Sequence, residues 1–224
     1  MLIRSWNVYH GRSSPARRRA YLQQVVRLAS SDRPDILCLQ ELPLWSLPQL
    51  AGWSGMLTFP ARTRRAPFGP DIGRVLTATH HGVIRSAFSG QANAILVGAG
   101  HHAEDLGYLP ISDRGHHPRV CQAVRVDHGL VVGNIHASGP VAENEVERAL
   151  AWLDQRVRAG ETLVLAGDFN ARLDLPGFTA PHHGIDHIFV RDAESTPLDV
   201  WPVERRRQNG VVLSDHAPVE LTIS

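Results

Sequence analysis

Residues 165–172 read LAGDFNAR, the end of an apolar run, LVLAG, that turns abruptly polar at Asp168 and Asn170. A short apolar run bounded by turn signals reads as a buried strand. In extended backbone, residues i and i+2 point to the same side, so Asp168 and Asn170 converge on one ligand. The same arrangement recurs outward along the chain: Asn7 follows IRSW, Glu41 follows ILCLQ and His136 follows VVGNI. Asp186 and His187 stand in GIDHIFV, and Asp215 and His216 open SDHAPVE. Burying such groups unpaired costs on the order of several kcal/mol for an ionised carboxylate, so they must be solvated, paired or metal-bound. Polar residues at the ends of several strands point to one shared site at a sheet edge.

Period and flanking turn residues predict strands near 2–8, 35–40, 93–97, 119–126, 130–136, 162–167, 185–190 and 216–223. A helix is predicted over 16–30, entered through Ser13, Ser14 and Pro15, with Tyr21, Leu22, Val25 and Leu28 at helical spacing. A second is predicted over 141–158, with Val146, Leu150 and Leu153 on one face and Gly160 as its stop. The Arg-, Gly- and Pro-rich stretch 60–90 has weak periodicity and reads as loop with room for a hairpin. Many strands and few helices imply an α/β (α+β) fold in which sheet packs on sheet with helices outside, as one domain over 1–224.

The chain has 224 residues, is 43% apolar and 20% charged, and has a formal net charge of +1. That balance supplies no overall field for nucleic acid or acidic membrane, so any polyanion must be gripped locally. No apolar run reaches the ~18 residues of a bilayer span, and MLIRSWNV enters a strand without a leader's apolar stretch, so a cytoplasmic location and a monomer are expected. Cys38 and Cys121 lie in strand-like runs and read as buried hydrophobes. All 23 basic residues are arginine, which excludes a lysine nucleophile. The His pairs at 80–81, 101–102, 116–117 and 182–183 are scattered and lack zinc spacing, although His183 lies three residues before Asp186. Of the arginine clusters, Arg17–Arg19 reads as the solvated face of a helix. Arg62, Arg64 and Arg65, and Arg205–Arg207, fall in predicted loops as candidate phosphate contacts.

Glu41, Asp168, Asp215, Asn7 and Asn170 offer only oxygen, which suits Mg²⁺ or Mn²⁺. Histidine beside such ligands adds proton transfer or a hydrogen bond to a phosphoryl oxygen. The combination predicts metal-assisted phosphoryl hydrolysis.

Eight segments in register, SWNV, LCLQE, QANAILV, RVCQAVRV, NIHASGP, LAGDFN, GIDHIFV and SDHAPVE, resemble the endonuclease/exonuclease/phosphatase superfamily, the DNase I-like proteins. The resemblance implies a four-layered α-β-β-α sandwich of two mixed sheets and a magnesium site at one edge. It implies that Glu41, with Asn7 and Asp215, forms the metal site. It gives Asp168 and Asn170 the orientation of the attacking water and the binding of the scissile phosphate or a second metal. His216, steered by Asp186, takes the acid/base or phosphate-contacting role, and His136 the place of the second histidine. Arg119 occupies a place where some relatives present an arginine to the phosphate, whereas Asn93 is balanced between site and loop roles. Asp168 and the Asp186–His216 pair share the assignment of general base. The leading expectation is a DNase-like nuclease acting on nucleic acid. The alternative is a phosphatase or phosphodiesterase for small or lipid phosphate esters. Against the lipid branch, no hydrophobic loop suited to membrane insertion stands out. A catalytically dead scaffold would have lost a metal ligand, and every expected ligand is present.

Overall fold

The alternating apolar runs pair into two large sheets in a computed structural model that describes residues 1–84, 87–113, 117–179 and 184–224. In chain order the elements are β1 (Leu2–Asn7), β2 (Ser13–Ser14), α1 (Leu22–Ser30), β3 (Ile36–Leu42), α2 (Leu50–Ser54) and β4 (Leu57–Arg64). They continue with α3 (Pro70–Thr79), α4 (His81–Ile84), β5 (Gln91–Val97), β6 (Ala103–Pro110), β7 (Val120–Val126), β8 (Leu130–His136) and α5 (Ala142–Asp154). The chain closes with β9 (Thr162–Asp168), β10 (Asp186–Arg191), β11 (Asp199–Val200), β12 (Arg207–Gln208), β13 (Val211–Leu213) and β14 (Val219–Thr222). Among the described residues, one sheet runs β11-β14-β1-β3-β5-β4, the other β10-β9-β8-β7-β6, and a small third sheet runs β12-β13-β2. Both large sheets are mixed: β1 pairs parallel with β3 and β8 parallel with β9, while the remaining pairs are antiparallel.

Side-chain alternation sorts the core into three apolar layers. Ile3, Ile36, Cys38 and Ile95 of the first sheet meet Val124, Val132, Val164 and Ile188 of the second between the sheets. On the outer face of the first sheet, Trp6, Leu37, Leu39 and Leu96 pack under Leu22, Val25 and Val26 of α1. On the outer face of the second, Val131, Leu163, Leu165 and Phe189 pack under Val146, Ala149 and Leu153 of α5. Each fully buried Ile or Leu contributes about 1.5–3 kcal/mol. The result is the expected four-layered sandwich, and both cysteines lie free in its interior.

Several local expectations are corrected. The first helix begins at Leu22, not at residue 16, because Ser13 and Ser14 are drawn into strand pairing with Leu213 and Val212 and so cannot cap it. Arg17–Arg19 therefore precede the helix and do not lie on it. The second spans Ala142–Asp154 and stops well before Gly160, where the Leu153 carbonyl takes the N–H of both Arg156 and Val157 and closes the last turn. The final strand is only Val219–Thr222, which leaves Asp215 and His216 in the loop that enters it. The stretch 60–90 is not loop: it holds the end of β4, then α3 and α4, and places Arg62 and Arg64 in a strand. The helix α3 escapes a periodicity reading because its buried stripe is only Gly73 and Thr77, while Ile72, Val75 and Leu76 face outward.

Candidate active site

Three neighbouring strands of the second sheet end in one row. Register pairs His136 on β8 with Asp168 on β9, and Asp168 with Asp186 on β10. The pairing is tight: a Cβ at Gly167 would stand 1.9 Å from the Ile135 carbonyl oxygen, so only glycine lets β9 approach β8 here. The first sheet brings up Asn7 at the end of β1 and Glu41 on β3. Glu41 lies between Leu39 and Leu42, where the β3–β5 register shifts, and has φ 56°. Tyr9, His10, Asn170 and Ser214, all in the loops that frame this edge, also have positive φ. Backbone strain of this kind persists where the surroundings over-determine it, commonly at functional sites.

Asp168 is buried at the centre. Its Oδ2 accepts a hydrogen bond from the Asn7 amide at 2.9 Å, and its Oδ1 accepts from the backbone N–H of Asn170, also at 2.9 Å. Nε2 of His136 stands 3.6 Å from Oδ2 and Nε2 of His216 stands 3.8 Å from it. Asp186 Oδ2 lies 2.8 Å from His216 Nδ1, fixing that ring with Nε2 toward Asp168. Glu41 faces two histidines, with Oε2 3.7 Å from His10 Nε2 and Oε1 3.9 Å from His136 Nε2. Arg119 donates from Nη1 to His136 Nδ1 at 2.8 Å, so the imidazole proton of His136 lies on Nε2. Arg119 is held in turn by Ser138 Oγ, and the Ser138 N–H by Glu145. Asn170 turns its amide to the Ala137 carbonyl, and Asn7 accepts the Tyr9 N–H on Oδ1. Asp215 is exposed at the rim, beside Ser214 Oγ at 3.5 Å.

The two histidines are driven apart electrostatically. Burial, with the charges of Arg119, His216 and His10, holds His136 well below the usual imidazole range and hence neutral. Burial also opposes the charged form of His216, but the hydrogen bond and charge of Asp186, with Asp168 and Asp215 adding, push it up to about 9. Burial and the neighbouring Asp186 carboxylate raise Asp168, against the opposing pull of His216 and its hydrogen bonds. Opposed shifts in adjacent titratable groups are the usual signature of an acid–base site.

Among the described residues, Asp168, Asp186 and His216 each offer a ligand atom within 4.8 Å of one another. Asp186 Oδ1 is buried and has no hydrogen-bond partner among the described residues. With Glu41 and Asp215 at the same edge, the donors are oxygen-rich and carboxylate-dominated, which fits a hard divalent cation. The tightest group thus differs from the Glu41, Asn7 and Asp215 set that the resemblance favours, since Glu41 is turned toward His10 and His136.

The site residues expected from sequence, and Asn93, lie on β-strands or loops of this edge, but Asp168 and Asn170 are not paired by strand alternation: β9 ends at Asp168, whose Oδ1 takes the Asn170 N–H in a turn that sends the Asn170 amide to the Ala137 carbonyl. Asn93 is wholly buried on β5, opposite the bulge that carries Glu41, with neither amide atom partnered. The third arginine cluster turns out structural. Arg205 pairs with Asp32 and Glu220, and the Arg206 guanidinium supports the carbonyls of Leu213, Ser214 and His216 behind the site. Arg64 instead lines the cleft of about 170 Å³ with Glu41, His10, Gln91, His117 and Arg119. His101 bridges Asp35 and Asp127 far from this edge. His116, His182 and His183 lie outside the described residues. Sequence reasoning missed His10, whose only signal is its place three residues after Asn7, and Gln91, whose amide reaches His136 Nδ1 at 3.4 Å.

The sandwich and its edge site define a DNase I-like protein. Solved structures of the same fold include an endonuclease/exonuclease/phosphatase from Beutenbergia cavernae, with TM-score 0.70, 18% identity and coverage of 100% of this chain and 72% of that one. Truncated TDP2 from Caenorhabditis elegans aligns with TM-score 0.69 at 14% identity over 99% of this chain and 96% of its own. The mannosyl-6-phosphatase Bt3783 of Bacteroides thetaiotaomicron aligns with TM-score 0.68 at 14% identity over 100% and 99%. At such identities the likeness is one of fold. No curated protein sequence matches the chain significantly. The chain belongs to the endonuclease/exonuclease/phosphatase family, whose pattern it matches over residues 5–216. The resemblance read from its eight segments is borne out.

Proposed function

We propose that the protein is a divalent-metal-dependent phosphodiesterase of a single 1–224 unit, with nucleic acid as its first candidate substrate. The observation that carries this reading is the row of His136, Asp168 and Asp186 on adjacent strands, with His216 seated across it on Asp186. Glu41, Asp168, Asp186 and Asp215, with the amides of Asn7 and Asn170, would hold Mg²⁺ or Mn²⁺. When bound, the cation supplies Lewis-acid charge to a phosphoryl oxygen. Asp186 fixes the His216 ring with its Nε2 turned toward Asp168, where it can donate to a phosphoryl or leaving oxygen. Arg119 fixes the tautomer of His136, whose Nε2 proton is aimed at the same space. Asp168, raised by burial and by the Asp186 carboxylate, takes the proton of the attacking water, while His216, pushed up to about 9, stays the donor. Arg64 and Arg119 line the cleft and offer positive charge to the substrate phosphate.

Nicking of supercoiled plasmid in magnesium tests the substrate. The nuclease reading predicts nicking that disappears on chelation and in the Asp168→Ala protein. Folded wild-type protein that nicks no faster than the variant would exclude nucleic acid of this form. A second reading, hydrolysis of a small or lipid phosphate ester, is favoured by the outward apolar face of α3, which follows the cleft residue Arg64 by a few positions.

A further inference from the structure

The helix α3 is mounted inside out. Its buried positions are Gly73 and Thr77, one turn apart, and a Cβ at Gly73 would stand 2.2 Å from the Phe88 carbonyl oxygen. The helix therefore rests its Gly73 backbone directly on Phe88. Ile72, Val75 and Leu76, which share a face at i, i+3 and i+4, point away from the protein at 55%, 69% and 36% exposure. Phe68 just before the helix and Val83 in α4 just after it are 58% and 77% exposed. Five of the nine large hydrophobic side chains exposed among the described residues thus fall within residues 68–83, so the patch is a concentration, not a scatter.

Positive charge surrounds it. In a chain of formal net charge +1, residues 61–90 contain the arginines at 62, 64, 65, 74 and 85 against the single acid Asp71. On one flank of α3 a cavity of about 370 Å³ is lined by Arg18, Arg19 and Arg74 beside Trp45 and Trp53, and among the described residues no carboxylate lines it. The backbone N–H groups of His81 and Gly82 bond the carbonyls of Arg18 and Arg17 and hold that arginine run against α4. On the other flank, Arg62, Arg64 and Arg65 line a pocket of about 510 Å³ that reaches Pro70, and Arg64 also lines the active-site cleft.

We propose that the outer face of α3, with Phe68 and Val83, docks on an anionic lipid surface. An apolar helical stripe edged by arginine and tryptophan is what lies flat in a headgroup layer, aliphatic side chains among the acyl chains and guanidinium groups on phosphates. The stripe offers bases no ladder of aromatic rings, as single-stranded nucleic acid binding requires, and an uncharged partner surface leaves the arginines without a counterpart. No helix of the described residues is long and apolar enough to cross a membrane, so contact would be peripheral. Docking there sets the Arg64 side of the cleft toward the headgroups. The inference stands apart from the reaction proposed above, because binding is read without turnover.

The test is flotation of the full chain with phosphatidylcholine vesicles with and without phosphatidylserine. Flotation with the anionic vesicles, weakened by salt, is the expected result. Ile72→Asp and Val75→Asp, both at exposed positions, should each weaken it by roughly tenfold or more, the cost of losing one buried aliphatic side chain. Their circular dichroism and their turnover of a soluble substrate should stay those of the wild type. Folded wild-type protein that does not float, or variants that float as well as it does, would overturn the proposal. So would a wild-type dimer that Val75→Asp turns into a monomer without any vesicle binding, which makes the stripe a contact between copies. Plasmid retention by the wild type that is lost in Val75→Asp, again without flotation, assigns the face to nucleic acid instead.

Discussion

Asp186 does its work through another residue. Its Oδ2 holds His216 at 2.8 Å, while among the described residues its Oδ1 has no hydrogen-bond partner, so the carboxylate that orients the ring keeps an oxygen for the cation proposed above. Asp186→Asn keeps the shape but removes the charge and the acceptor that fixes the tautomer. Phosphodiester turnover should fall by about 10²–10⁴-fold, the contribution of a positioned general acid or base. A thermal midpoint close to the wild type would separate this from misfolding, and unchanged turnover would remove Asp186 from the account. At this scale the sequence was readable wherever a polar residue broke an apolar run, as at Asp168, Asn7 and Glu41. It was not readable at His10, which follows a non-glycine positive-φ turn at Tyr9 and has no run to interrupt. Nor was the partnership of Arg119 with His136 legible, since it forms between side chains 17 positions apart.

Elements hold the site by locking the two ends of the first sheet. Arg4 of β1 is fully buried, donates to both oxygens of Asp32 at 2.7 and 2.8 Å and to Glu220 of β14, and lies 4.4 Å from the Trp201 ring. Arg4→Ala would remove the buried cation and its hydrogen bonds while Arg205 still pairs with Asp32 and Glu220, at a cost of about 1.5–3 kcal/mol, the range of a hydrogen bond to a charged group. Urea denaturation would measure it, and a loss within experimental error would contradict the reading. His101 ties the loop after β5 to Asp35, ahead of β3, and to Asp127, after β7. Hydrogen bonds that His101 donates to Asp127 and Asp35 raise it above its ordinary 6.5 despite burial, and His101 in turn lowers both carboxyls. The charged bridge therefore stabilises fully below the unfolded histidine value of about 6.5, and is lost as pH rises through the higher folded value. The carboxyls lose their share only in acid, below about 3.9. The thermal midpoint of the wild type relative to His101→Gln should thus narrow as pH climbs above neutrality, and a gap independent of pH would rule the bridge out. Helix boundaries were the least legible elements, because Ser13 and Ser14 satisfy a local capping pattern yet are claimed by β13, far away in sequence. The strand β6 was missed because none of its residues is fully buried and Gly107 interrupts it.

At the level of the whole molecule, two sheets packed face to face leave one edge where polar strand ends from both converge. Interior strands were legible because burial on both faces forces continuous apolar runs such as LVLAG and LCLQ. The exposed apolar face of α3 was not, since a pattern rule assigns apolar spacing to the core and cannot see which side of a helix is turned outward. The central claim is that this edge, organised around Asp168, hydrolyses phosphodiesters with a divalent cation. Release of p-nitrophenol from bis(p-nitrophenyl) phosphate, with magnesium or manganese, with chelator, and in Asp168→Ala, tests it without presuming a biological substrate. The account predicts metal-dependent release abolished both by chelation and by the substitution. Folded wild-type protein that releases nothing with either metal, or release that survives both the chelator and Asp168→Ala, would contradict it.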